Sequence, residues 1–139
     1  MEFNINYLAV LACAVASMAI GFLWYGPLLG KQWAEEMGWK NMSPEQMAEK
    51  KKQAGQNYPQ AFVGSLLMAY VLAYVVIAFK SVNSVMALQV AFWLWLGFVV
   101  PVKYGEKLWG GKSLKLFFID SMYYLVLLVI MAKILVFWQ

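Results

Sequence analysis

The chain has 139 residues, 63% of them apolar and only 13% charged, and a water-soluble domain of that length has too small an interior to hide so much apolar surface. The net charge of +4 comes from lysines beside the apolar runs, with no arginine-and-aromatic stretch of the kind that grips nucleic acid, so the positive charge points to lipid headgroups. With no histidine and one cysteine, Cys13, the composition excludes an intrachain disulfide and argues against zinc and haem sites; no catalytic residue, cofactor or metal ligand is expected.

Met1-Glu2-Phe3-Asn4 precedes the first apolar run without the basic segment of a cleaved signal peptide, so it is read as retained. A hydrocarbon core of roughly 30 Å needs about 20 apolar residues per helix, and four windows meet that length: 7–24, 61–79, 85–102 and 114–138. The expectation is one all-α integral membrane domain over 1–139 with four transmembrane helices. The runs are too long for strands and lack the alternating polarity of a barrel.

In the first helix, Ala9, Cys13, Ser17 and Gly21 recur every four residues. They form a ridge of small side chains that lets another helix approach closely, within the chain or between chains, and Cys13 on that ridge is expected to be inert. Ser65, Ala69 and Ala73 offer a matching ridge on the second helix. The loop between them, 25–60, has two features. Leu29, Trp33 and Met37 recur at four-residue spacing opposite Lys31, Glu35 and Glu36, a stretch that can lie along lipid headgroups or serve as a solvated linker. Ser43-Pro44-Glu45-Gln46 then has a serine N-cap, a proline at the first helical position and a glutamine to close a capping box. A short cytoplasmic helix over about 44–56 is expected, stopped by Gly55 and Pro59.

Residues 80–84 are so few that the second and third helices must form a tight antiparallel hairpin. Pro101 deprives the Gly97 carbonyl of its usual partner, so a kink or an early end is expected there, followed by a loop over 103–113. Lysines near helix ends stay on the cytoplasmic face during insertion. Lys31, Lys40, Lys50, Lys51 and Lys52 in one loop and Lys103, Lys107, Lys112 and Lys115 in the other make both loops cytoplasmic, with both termini outside. The membrane is expected to be a bacterial inner membrane.

The two halves resemble each other. Gly21-Phe22 leads through Pro27 to Trp33, and Gly97-Phe98 leads through Pro101 to Trp109; the next helix opens with Phe62-Val63-Gly64-Ser65-Leu66 or Phe118-Ile119-Asp120-Ser121-Met122. A duplicated hairpin with an axis along the membrane normal is one reading, and chance similarity of apolar segments is the other. The run Trp24-Tyr25-Gly26-Pro27-Leu28-Leu29-Gly30-Lys31-Gln32-Trp33, the Gly97-Phe98 step and Leu116-Phe117-Phe118-Ile119-Asp120 resemble the family catalogued as domain of unknown function 1761, over nearly the whole chain. Where that family's pattern has an arginine before the fourth helix, this chain has Lys112. The resemblance implies a small four-helix membrane protein of bacteria and fungi, and no activity.

Asp120 is the most informative residue. It sits about 9 Å into the fourth helix, where an ionised carboxylate must be paired or hydrated. Lys103 is the first choice of partner, with Tyr25, Ser65 and Tyr104 as possible hydrogen-bond donors. The site is either a protonatable or cation-binding group or a buried pair that sets helix register. Lys133 lies about 20 Å further along the helix and about 140° around it, too far to pair with Asp120, and is expected to snorkel outward toward Glu2. Trp24, Tyr25, Trp33, Trp39, Tyr58, Tyr104 and Trp109 read as an aromatic belt, and Trp93 and Trp95 as packing.

No serine, cysteine or aspartate falls in a recognised catalytic arrangement, so an enzyme is not expected. The main reading is an accessory, scaffolding or assembly protein that acts through helix packing, in contact with lipids and either a homo-oligomer or other membrane subunits. The alternative is a small proton- or cation-coupled transporter or channel using Asp120, which would need oligomerisation to complete a polar path.

Overall fold

The computed structural model describes residues 4–39 and 41–138. They are all-helical, with no strand among the described residues. Helix α1 runs over Tyr7–Leu23 and passes into a π-helical segment, Trp24–Leu28; a short α2 follows over Gly30–Glu36, then the long α3 over Pro44–Ala78. Helix α4 spans Ser84–Leu94 and continues through a second π segment, Trp95–Val99, into α5 over Val100–Gly110; α6 covers Leu114–Phe137. Four of the resulting rods, Tyr7–Leu28, Pro44–Ala78, Ser84–Gly110 and Leu114–Phe137, are long and apolar enough to cross a membrane.

The caps follow local chemistry. Asn6 accepts hydrogen bonds from the Leu8 and Ala9 N–H groups, and Asn83 and Ser113 play the same part for α4 and α6. At α3 the capping box forms as its sequence predicts: the Ser43 hydroxyl accepts from Gln46 N–H while the Gln46 side chain accepts from Ser43 N–H.

The separate 44–56 helix does not exist as such. Gly55 and Pro59 fail to stop it, and α3 is one rod of 35 residues, about 50 Å long, with Pro59 inside. Strong helix formers run from Gln46 to Ala54 ahead of the proline, and Gly55, whose carbonyl loses its partner, lies on an exposed stretch where water can replace the missing bond. Likewise the helix does not end at Pro101. The π turn just before it closes a longer ring, with Val100 N–H donating to the Trp95 carbonyl, and the helix runs on to Gly110. Gly111, at φ 70°, then ends α5 in the left-handed conformation that a side chain disfavours. Most of what reads as loop at 103–113 is therefore helix.

The four rods alternate in direction: Asn6, Val76 and Trp138 meet at one end, where the Asn6 side chain donates to the Trp138 carbonyl at 3.0 Å, and Tyr25, Ser65, Lys103 and Asp120 meet at the other. Helix α6 is the hub, packed by α1, α3 and α4, while α1 also packs on α3. At the end that holds the termini, Ala9, Cys13, Ala69, Ala73, Ala87 and Ala91 bring the backbones close, and Leu127, Met131 and Leu135 of α6 fill the centre. The small-residue ridge of α1 thus packs inside the chain: the Cys13 thiol lies 3.5 Å from the Met131 carbonyl, Ser17 is buried, and Gly21 faces the Tyr123 hydroxyl.

Candidate functional site

At the opposite end the helices do not close. Asp120 lies in the second turn of α6 between Ile119 and Ser121, all three buried. Facing it, α1 widens into its π segment. Pro27 has no N–H to offer, and Leu29 N–H reaches back five residues to the Trp24 carbonyl at 2.8 Å. This turn aims Tyr25 at α6, where its hydroxyl donates to Asp120 Oδ1 at 2.6 Å, the short length typical of a bond to a carboxylate. The Tyr25 ring meets Trp33 and Tyr123 edge to face, with centroids 5.6 and 5.2 Å away. The chain then folds sharply back over Tyr25. A Cβ on Gly30 would stand 2.6 Å from the Tyr25 carbonyl oxygen, so no larger residue fits this path without moving the tyrosine.

The second π segment serves the same residue from the other side. Trp95 donates its indole N–H to the Ser121 carbonyl at 2.6 Å, and Trp24 donates its own to the Ile119 carbonyl at 3.0 Å. Each π segment opens with a tryptophan, and the two tie down the backbone on either side of Asp120. π turns recur at functional positions because they re-aim side chains that a regular helix would point elsewhere. They also pair Trp24-Tyr25-Gly26 with Trp95-Leu96-Gly97 as equivalent features of the two halves, in place of the Gly21 and Gly97 correspondence read from sequence.

Around Asp120 lies an open groove of about 710 Å³. It brings together Tyr25, Ser65, Lys103 and Asp120, four of the five polar candidates named from sequence, with Trp33, Tyr58 and Tyr123 beside them. Lys133 is not among them. It is exposed near the termini, beside Asn83 and Ser84, and its proposed partner Glu2 lies outside the described residues.

The expected Lys103 and Asp120 ion pair does not form. Lys103 Nζ instead pairs with Glu106 at 3.3 Å, one helical turn along α5, and sits over the Tyr124 ring at 5.2 Å; Lys112 approaches Glu106 from the far side at 3.9 Å. A partner at i+3 on the same rigid helix costs less ordering than one on another element, which explains the choice. Tyr104 also takes no part, stacking edge-on against Phe117 with Lys107 over its ring. Asp120 is consequently a buried carboxylate with a neutral donor and no ion pair among the described residues.

A family model described as "Protein of unknown function (DUF1761)" matches residues 8–136. The chain belongs to the DUF1761 family. Neither the curated proteins nor the solved structures contain a match to this DUF1761 chain. Its family resemblance in sequence rests on the Trp24–Trp33 run, the Gly97-Phe98 step and the Leu116–Asp120 run, and the Tyr25 and Trp24 hydrogen bonds join the first of these to the last.

Sequence reasoning missed Trp24 and Trp95 as site residues. Both are aromatic rings in apolar helices and read as belt or packing. The one available hint was that each precedes a glycine by two residues near a proline, Pro27 or Pro101.

Proposed function

We propose that this DUF1761 protein is a multi-pass protein of a bacterial inner membrane, with both termini outside, that works as an accessory or assembly subunit through a one-sided binding groove. The observation that carries this reading is the contrast along the bundle. Asp120, Tyr25 and Ser65 share a groove at one end, while at the other end the bundle centre is filled by Ala9, Cys13, Ala69, Ala73 and Met131, each at most 3% exposed, and the grooves there lie between α3 and α4 and beside the end of α6. A solute entering from the lysine-bearing end would meet a dry apolar plug after about half the bilayer. Such a groove suits binding better than conduction.

Large apolar side chains such as Phe22, Phe98, Trp109 and Phe137 face outward and suit contact with lipid or with a further membrane subunit, a second copy included. The lysine-rich α2–α3 and α5–α6 regions suit the cytoplasmic leaflet. No enzymatic step is proposed: the hydrogen bond to Asp120 comes from the Tyr25 hydroxyl and not from a serine or cysteine among the described residues.

Labelling of single cysteines at Ser43 and Ser84 in intact cells tests the orientation: Ser84→Cys should react with an impermeant maleimide from outside and Ser43→Cys should not, and the reverse pattern would refute it. A role as a subunit predicts co-purification with itself or a larger membrane complex in mild detergent. A protein that migrates alone in every such preparation would contradict that. The transport alternative rests on the buried carboxylate alone. It predicts a proton- or cation-coupled flux in proteoliposomes that Asp120→Asn abolishes, and no flux is expected here.

A further inference from the structure

We propose that the Asp120 groove binds a hydrophobic organic cation of the quaternary ammonium class; this deepens the binding reading above and rests on it. Three observations converge. The first is charge. Lys103 and Asp120 are the charged side chains on the groove wall, and Lys103 is already engaged by Glu106, which leaves the Asp120 carboxylate uncompensated among the described residues. A carboxylate 9% exposed and held by a neutral tyrosine favours a cationic ligand, since that contact restores the solvation that burial removes.

The second is the wall itself. Tyr25, Trp33, Tyr58 and Tyr123 line the groove, while the Tyr124 ring beside them already carries the Lys103 ammonium. Aromatic faces attract cations through their quadrupoles, most strongly when the cation is poorly hydrated, and rings grouped around a carboxylate are the chemistry that selects a quaternary ammonium. The third is size and donor set. A groove of about 710 Å³ is far larger than a metal ion, and no group of three acidic, histidine or cysteine side chains able to hold one occurs among the described residues. A quaternary cation asks for no hydrogen bonds, and so suits a wall that is mostly aromatic and carries a single carboxylate.

The test is calorimetric titration of the full chain in lipid nanodiscs with benzyltrimethylammonium, beside the neutral benzyl alcohol and the anion benzenesulfonate. The cation should bind, with the two controls at least tenfold weaker. Asp120→Asn should weaken cation binding by tenfold or more. Because that variant can disturb the helix contact, Tyr58→Ala serves as an independent check: Tyr58 is exposed on α3, so the fold should stand, and the cation should bind two- to fivefold more weakly. Absence of binding, equal binding of benzyl alcohol, or unchanged affinity in both variants would overturn the proposal. Preferential binding of benzenesulfonate, lost in Lys103→Gln, would overturn the choice of cation while leaving the one-sided groove intact. The groove itself fails separately, through the accessibility measurements.

Discussion

The two ends of the bundle are built from the same helices by opposite means. Near the termini, alanines and Cys13 let α1, α3, α4 and α6 approach until little but backbone and the α6 side chains fill the space. Near the lysines, π turns at Trp24–Leu28 and Trp95–Val99 turn aromatic side chains inward, and the two tryptophans tie these segments to α6 on either side of Asp120. Small residues therefore fill the bundle centre at one end, and aromatic clamps frame a carboxylate-bearing groove at the other. A polar site in an apolar bundle needs the second arrangement, because only there can a carboxylate be reached and yet kept in a defined place.

The sharpest way to break this contrast is to add bulk at matched positions of α3. Ala69→Leu, at a fully buried site, should cost about 1–3 kcal/mol in reversible unfolding in mixed detergent micelles. Ser65→Leu, one turn earlier in the groove, should cost less than about 0.5 kcal/mol, as open sites do. Equal losses would mean that the ends are packed alike. Gly30→Ala comes next: its Cβ must displace the Tyr25 carbonyl from 2.6 Å, with an expected loss of about 1–2 kcal/mol by overpacking. That loss should fall sharply when Tyr25→Phe is already present if the strain acts through the tyrosine hydroxyl.

Much of this was legible in the sequence. The four apolar runs appear as four rods, the Ser43 capping box forms, and two candidates, Tyr25 just past the first apolar run and Asp120 in the fourth, meet at 2.6 Å. What could not be read was competition and geometry. Lys103 pairs with Glu106 because a partner on its own helix is nearer than any carboxylate across the bundle, a choice composition does not reveal. Pro59 reads as a stop and Pro101 as a kink or an early end, yet an exposed rod absorbs the first and a π turn the second. The indole bonds of Trp24 and Trp95 span 95 and 26 residues of sequence, and the glycine and proline that follow each tryptophan do not say where its N–H goes.

Smaller effects refine the polar end. A double-mutant cycle between Tyr25→Phe and Asp120→Asn should give a coupling of about 0.6–1.7 kcal/mol, the range for hydrogen bonds between membrane helices. A coupling of zero would remove the bond from the account. Trp95→Phe, which deletes the donor to the Ser121 carbonyl while keeping a ring, should cost about 0.6 kcal/mol on the same scale, and Trp24→Phe no more. A larger loss at Trp24 than at Trp95 would rank the two clamps the other way.

The most direct test of a groove open on one side only is solvent access along α3, in a Cys13→Ser background. In oriented membrane vesicles, Ser65→Cys should react with an impermeant maleimide from the cytoplasmic face alone, and Ala73→Cys, 3% exposed in the native packing, from neither face. Labelling of both positions from both faces would reveal a continuous water path and contradict the account.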